Sequence, residues 1–164
     1  MFDDLIEANQ RYAEQFHDSG VAGKAAKGLA VLTCIDSRID PLQMLGLQPG
    51  DAKIIRNAGA RVTDDALRSL ILATNLLNVT RICVVQHTEC AMAGSTDADI
   101  AKRVSEASGA DASDVSFLAM TDQATAMRDD IARIRDCELI PASTDIAGFT
   151  FDVRTGRLVP AEPA

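Results

Sequence analysis

Short apolar runs that alternate with amphipathic helical segments are the feature that most restricts how this chain can fold. Residues 28–34, 52–59 and 80–87 are rich in Val, Ile and Leu, which is typical of buried strands. Between the last two, Thr63 is expected to cap a helix that ends near Asn78. Strands alternating with helices predict an α/β fold with a mostly parallel central sheet flanked by helices.

The second half of the chain continues the same alternation. The polar stretch 94–114 is expected to hold a helix between loops, and 121–136 has the spacing of an amphipathic helix. Residues 137–142 are apolar enough to predict a further strand. Residues 148–159 indicate a hairpin or an extended tail, with Gly156 at the turn.

The chain is of single-domain length, so residues 1–164 are expected to form one domain. Residues 2–16 place Phe and Leu side chains on one helical face ahead of the first core strand. Such a helix must dock on something, and a second subunit is one candidate. We therefore expect an N-terminal helical arm at 1–19 and a loose tail at 160–164.

Charge and composition exclude several classes of function. A net charge of −8 with 4% aromatic residues argues against binding of nucleic acid and against an anionic membrane surface. The acidic N-terminus does not resemble a signal peptide, so a cytoplasmic location is expected. In that reducing compartment the four cysteines should be thiols or metal ligands.

Polar residues follow two of the predicted strands, where a parallel sheet places its ligand site. Cys34 ends the first strand, and His87 and Cys90 follow the third with the spacing of a chelate. Two thiolates and one imidazole suit Zn²⁺ and leave a fourth position free. Cysteines are also common as small buried hydrophobic residues, but their joint placement with His87 favours a metal site.

Asp36 and Arg38 stand close to the first of these cysteines. In an extended segment residues two apart point the same way, so the guanidinium would keep the carboxylate ionised and oriented. A surface ion pair of little consequence is the alternative. His87 and Cys90 could also form a nucleophile pair, but that leaves Cys34 and the Asp36–Arg38 pair without a role.

Three motifs together resemble those of the β-class carbonic anhydrases. They are Cys34-x-Asp36-Ser37-Arg38, Arg56-Asn57-Ala58-Gly59 and His87-Thr88-Glu89-Cys90-Ala91-Met92. Their spacing and the length of the chain are similar to the short prokaryotic clade of that family. The resemblance extends over essentially the whole sequence.

The resemblance implies a zinc enzyme for reversible hydration of CO₂ to bicarbonate and a proton through a zinc-bound hydroxide. It implies one Zn²⁺ per subunit on Cys34, His87 and Cys90, with Asp36 and Arg38 as a catalytic dyad and Gly59 in the substrate pocket. Asp36 would ligate zinc only in a closed state. It also implies an N-terminal helix that embraces a partner subunit, in a homodimer or homotetramer.

Two alternatives share these motifs. Carbonyl sulfide or carbon disulfide could replace CO₂ as the substrate of the same zinc site. A non-catalytic protein with a permanently closed Cys₂HisAsp site is the other alternative, although such a site has no need of Arg38. The chain also departs from the family at Glu89, commonly Asp, and at Ala91, commonly Gly, where a positive φ would strain alanine.

Overall fold

The computed structural model describes residues 1–18 and 20–161, which form a five-stranded, mostly parallel sheet flanked by helices. The strand order is β2-β1-β3-β4-β5, with β1 to β4 parallel and β5 antiparallel to β4. The α/β prediction is confirmed. The strands are β1 (Leu29–Cys34), β2 (Ala52–Asn57), β3 (Arg81–His87), β4 (Asp145–Phe151) and β5 (Leu158–Pro160).

Three of the longer helices are capped by the side chain that precedes them, including the predicted cap Thr63. Thr63 accepts a hydrogen bond from Ala66, Thr96 forms a capping box with Asp99, and Asp122 accepts from Ala124. No helix among the described residues is both long and apolar enough to span a bilayer. The helices are α1 (Asp3–Glu14), α2 (Pro41–Met44), α3 (Asp64–Leu76), α4 (Asp97–Ser108) and α5 (Gln123–Arg135), with a short 3-10 turn at Ala58–Ala60.

The predicted strand at 137–142 is wrong, because these residues form turns and the fourth strand begins only at Asp145. Ile140 is buried in the core and its N–H donates to the carbonyl of Cys137, which closes a turn. Pro141 has no N–H to offer a sheet. The apolar pattern of this segment therefore reflects side chains packed beneath α3 and α5, not strand pairing.

The predicted hairpin near the C-terminus is present, and parts of both chain ends lie outside the described residues. The hairpin at 148–159 is present as β4 and β5, with Gly156 at φ +70° in its turn. Pro160 closes β5, so the ordered hairpin reaches into the expected tail 160–164, of which 162–164 lie outside the described residues. Ser19, in the expected arm, also lies outside them.

The two faces of the sheet have separate apolar clusters. On one face α3 and α5 pack over Leu32, Ile82 and Val84. Gly148 in β4 permits the close approach of α5, because a Cβ there would lie 2.7 Å from the Met127 sulfur. The opposite face holds Val31, Cys83, Val85 and Phe151 with the two cysteines of the predicted site.

Helix α1 buries none of its residues within the described chain. Its apolar side chains stay at least half exposed, and an apolar face of this kind is a common sign of a contact surface. The exposed residues are Phe2, Leu5, Ile6 and Tyr12, with Phe16 just beyond the helix.

Asp97 at the start of α4 holds the long loop that precedes α5. Its carboxylate accepts hydrogen bonds from the backbone N–H groups of Ala119, Leu118 and Phe117, at 2.7, 3.3 and 3.0 Å. These donors lower the pKa of Asp97, because they favour its ionised form. The loop then pairs Met120 with Met92 beside the predicted site.

This arrangement predicts an acid-dependent loss of stability. A carboxylate with a lowered pKa in the folded state contributes stability above its unfolded pKa of about 3.9, and loses that contribution as pH falls through the folded value. We expect the free energy of unfolding to fall less between pH 5 and pH 2 in Asp97→Asn than in the wild type. Urea titrations of both proteins at each pH measure this, and parallel slopes would contradict it.

Candidate metal centre

The predicted ligands meet at the carboxyl end of the sheet. Cys34 is the last residue of β1 and His87 the last of β3, and these strands are parallel neighbours. Cys90 lies in the turn that follows β3. The ligand atoms of all three residues lie within 4.8 Å of one another, and all three side chains are buried. The structure therefore brings together the three residues that the sequence predicts.

The histidine is oriented as a metal ligand. Its Nδ1 lies 2.8 Å from the carbonyl oxygen of Thr88, so the Nδ1–H tautomer donates there and leaves the Nε2 lone pair free. Nε2 is buried and has no hydrogen-bond partner among the described residues. Gln123 donates from Nε2 to the His87 carbonyl at 2.9 Å. An orphaned ring nitrogen beside two sulfurs fits a thiophilic divalent cation such as Zn²⁺.

The pKa values of the Cys34 and Cys90 thiols are shifted in opposite directions. The neighbouring Cys90 thiol lowers the pKa of Cys34 to about 3, although burial opposes this shift, and His87 lowers the pKa by a smaller amount. The same contact, together with burial, raises the pKa of Cys90. The nearby Cys34 sulfur also raises the pKa of His87. A divalent cation would displace the remaining protons, and its charge would balance two thiolates.

Gly59 contacts the candidate metal centre through its backbone N–H. Its N–H donates to the Cys34 sulfur at 3.4 Å, and its φ is +76°. A Cβ there would lie 3.2 Å from Met120 and 3.3 Å from Met92. These contacts give Gly59 a clear part in holding the ligand sulfur, whereas its predicted place in a substrate pocket stays a prediction.

Asp36 and Arg38 form the forked pair that their spacing predicts. Arg38 donates from Nε to Oδ1 at 3.0 Å and from Nη2 to Oδ2 at 2.7 Å, and its backbone N–H also reaches Oδ1. These bonds hold the pKa of Asp36 well below its usual value. The Oδ2 atom lies 3.9 Å from His87 Nε2, so the ionised carboxylate borders the ligand cluster.

The backbone of this segment is held by a residue of the second motif. Arg56 donates to the carbonyl oxygens of Cys34 and Asp36 at 2.9 and 2.7 Å. These bonds fix the turn between the candidate ligand Cys34 and the carboxylate of Asp36. The motif around Arg56 was visible in the sequence, but its action on this turn was not.

Glu89 extends the charged network to a residue that sequence analysis missed. Its carboxylate accepts from Arg38 Nη1 at 3.0 Å and from Arg154 Nε at 2.5 Å. Arg154 follows β4, and no local spacing connects it to this site. Glu89 itself adopts φ +57°, at a cost of about 1 kcal/mol for a residue with a Cβ. Ala91 is not among the residues with positive φ, so the strain considered for it does not arise.

Comparison with known proteins agrees with this geometry. Residues 29–158 match a family model described as carbonic anhydrase. Beta-carbonic anhydrase 1 of Mycobacterium tuberculosis is 34% identical over 161 residues, which cover 98% of each chain. A carbon disulfide hydrolase of an Acidianus species is 53% identical over 74 residues, or 45% of this chain and 36% of that protein.

Solved structures show the same likeness. The crystal structure of a carbonic anhydrase from Streptococcus mutans superposes with a TM-score of 0.91 at 38% identity and covers 98% of this chain and 97% of that one. The apo form of a carbon disulfide hydrolase superposes with a TM-score of 0.73 at 30% identity, covering 99% and 92%.

Proposed function

Since the chain belongs to the β-class carbonic anhydrase family, it is a zinc enzyme for the reversible hydration of CO₂, and we propose that Cys34, His87 and Cys90 hold the ion. The observation that carries the site assignment is the convergence of two sulfurs and an unpartnered imidazole nitrogen within 4.8 Å. Zinc held there would supply the Lewis acidity that makes water a nucleophile near neutral pH.

The roles of the surrounding residues follow from their contacts. Asp36, ionised and 3.9 Å from His87 Nε2, can accept a hydrogen bond from water beside the cluster and keep that water oriented. Arg38 holds Asp36 in its ionised form and fixes its direction through two parallel hydrogen bonds. We therefore assign Asp36 as the catalytic carboxylate and Arg38 as its partner in the dyad.

A CO₂ hydration assay on zinc-loaded protein tests the proposal. We expect stopped-flow hydration well above the buffer rate between pH 7 and pH 9, with one zinc per subunit. Metal-depleted protein should lose the activity and regain it when zinc is restored. Full zinc content with no hydration at any pH would contradict the assignment and favour a non-catalytic, closed site.

Carbon disulfide is the second candidate substrate, because two relatives described above are carbon disulfide hydrolases. The ligand set does not discriminate, since the same nucleophile can attack CO₂, carbonyl sulfide or carbon disulfide. Purified enzyme should be assayed with all three substrates under one set of conditions. If kcat/KM is higher for carbonyl sulfide or carbon disulfide than for CO₂, that sulfur compound is the primary substrate of the enzyme.

We propose a homodimer as the smallest assembly, with the apolar face of α1 packed on a second copy; pairs of dimers would form a homotetramer. An apolar cavity of about 380 Å³ lies on the sheet face opposite α3 and α5 and offers a complementary surface. Its apolar lining includes Leu29, Leu45, Cys83, Phe149 and Leu158.

Leu5→Lys tests the proposed assembly. Leu5 is 59% exposed in the single chain, so lysine should leave the subunit folded but oppose burial between copies. Each dimer would lose two buried leucines, at about 1.5–3 kcal/mol each, and its dissociation constant should rise at least a hundredfold. Sedimentation velocity over a dilution series measures this, with Glu7→Lys on the opposite side of α1 as the matched control. Equal dissociation constants for Leu5→Lys and wild type would refute the packing.

A cytoplasmic location is also part of the proposal. All four cysteines are free, and the Cys34 and Cys90 sulfurs are within 4.8 Å of each other. An oxidising compartment would favour a disulfide between neighbouring thiols, which would remove both sulfur ligands. The site therefore suits a reducing compartment.

A further inference from the structure

A second cavity, of about 300 Å³, lies between the start of α5 and strands β3 and β4. Gln86 and His87 are successive residues of β3, so their side chains leave the strand on opposite faces of the sheet. The cavity is therefore separated from the metal centre by the sheet itself. It is lined by Gln86, Gln123, Ala124, Met127, Arg128, Thr150 and Ala161.

Gln86 is the unusual residue of this cavity. Its side chain is 1% exposed, and its Nε2 has no hydrogen-bond partner among residues 1–18 and 20–161. Apart from His87 Nε2, which faces the proposed zinc, it is the only such buried side-chain atom in those ranges. A buried amide donor without an acceptor is unfavourable. Nε2 itself is shielded from solvent, so the amide must turn about its Cγ–Cδ bond to present this donor to a group in the cavity that accepts hydrogen bonds.

The electrostatic surroundings favour an acceptor with negative charge. Gln123 and Ala124 open the thirteen-residue helix α5, whose N-terminus carries partial positive charge. Arg128 adds a full positive charge one turn later, although one of its N–H groups donates to Thr125. The carboxylate of Asp122 caps α5 and offsets part of the helix charge. Arg128 is therefore the group that decides the preference.

We propose that this cavity binds a small monovalent oxyanion of the carboxylate type, held by the Gln86 amide and the Arg128 guanidinium. A hydroxyl donor at Thr150, which pairs with Gln86 across β3 and β4, completes the polar lining. The site also touches the metal centre indirectly, because Gln123 lines the cavity and donates to the carbonyl of His87. Its ligands are otherwise distinct from those of the proposed zinc site.

Methyl NMR of zinc-loaded protein with ¹³C-labelled methionine tests the site, with acetate as the probe. Met127 lines the cavity, whereas Met92 and Met120 pack beside Gly59 at the metal centre. Acetate should shift the Met127 signal saturably, and chloride at equal ionic strength should not. The Met127→Leu variant assigns the signal. Bicarbonate titrated in parallel shows whether the reaction product shares the site.

Matched variants distinguish a specific acetate-binding site from nonspecific electrostatic attraction of the anion. Arg128→Gln should weaken acetate binding at least tenfold, whereas Arg135→Gln, which removes the same charge two turns later, should leave it unchanged. Gln86→Leu should weaken binding similarly, and Thr150→Val replaces it as the test if the leucine variant does not fold.

Three outcomes would overturn the proposal. A Met127 shift that rises linearly without saturation indicates an adventitious ion only. Equal affinity in the Arg128→Gln and Arg135→Gln variants shows that the guanidinium makes no contact. Shifts confined to Met92 and Met120 place the anion at the metal centre instead. Each readout is independent of hydration activity, so it stands or falls separately from the proposed function.

Discussion

Replacing Cys90 with alanine is expected to remove most of the bound zinc from the purified protein. The site offers three protein ligands, and all three are buried within one cluster. Zinc binding by four-ligand sites contributes about 10–16 kcal/mol, so one ligand accounts for about 2.5–4 kcal/mol. The affinity for zinc should therefore fall roughly 100- to 1,000-fold. Competition with a chromophoric chelator measures the change, and hydration activity should fall with zinc occupancy.

Cys83→Ala is the matched control for this substitution. Cys83 is also a buried thiol, but it lies in the middle of β3, and burial raises its pKa to about 12. Its removal should leave zinc affinity unchanged, whereas a general effect of losing a buried thiol would lower affinity in both variants. Unaltered zinc affinity in Cys90→Ala would exclude Cys90 from the ligand set.

Asp36→Ala is expected to retain zinc and lose most of the hydration activity. Asp36 is not among the three clustered ligands, and Arg38 keeps Glu89 as a charged partner when Asp36 is removed. The site should therefore stay assembled while it loses the acceptor that orients water. A positioned carboxylate that accepts a hydrogen bond or proton from the reacting water contributes typically about 10²- to 10⁴-fold, so kcat/KM should fall by about 100-fold or more.

Zinc content and kcat/KM measured together separate the possible roles of Asp36. Asp65→Ala, which removes an exposed carboxylate paired with Arg68 on α3, controls for the change in net charge. Normal hydration in Asp36→Ala would remove this residue from the mechanism. Loss of zinc from that variant would instead identify Asp36 as a metal ligand and support the closed site.

Local sequence patterns predicted the elements that depend on local interactions. Thr63 marks the start of α3 and Asn78 adopts φ +65° just after its end, because capping and left-handed turns involve neighbouring residues. The apolar run at 137–142 was misassigned because periodicity records burial without showing whether backbone groups pair in a sheet. Turn and strand differ there in where the backbone N–H groups donate, since Ile140 donates within the segment to Cys137 and Pro141 has no N–H.

The candidate metal ligands could be inferred from sequence because parallel strands end at one edge, and Cys34 and His87 each close such a strand. The ion-pair network of Asp36, Arg38, Glu89 and Arg154 could be inferred only in part. Arg154 stands 65 residues after Glu89, and their contact depends on how β4 and its following turn pack.

The sequence alone determined most of the order of strands and helices, the three candidate metal ligands and the forked carboxylate, since each follows from short-range spacing or strand ends. The tertiary structure decided the part of Glu89 and Arg154, the positions of Gly59 and Arg56, and the cavity at Gln86. These features arise from contacts between side chains that are far apart in the sequence, and spacing along the chain does not predict which distant side chains come together.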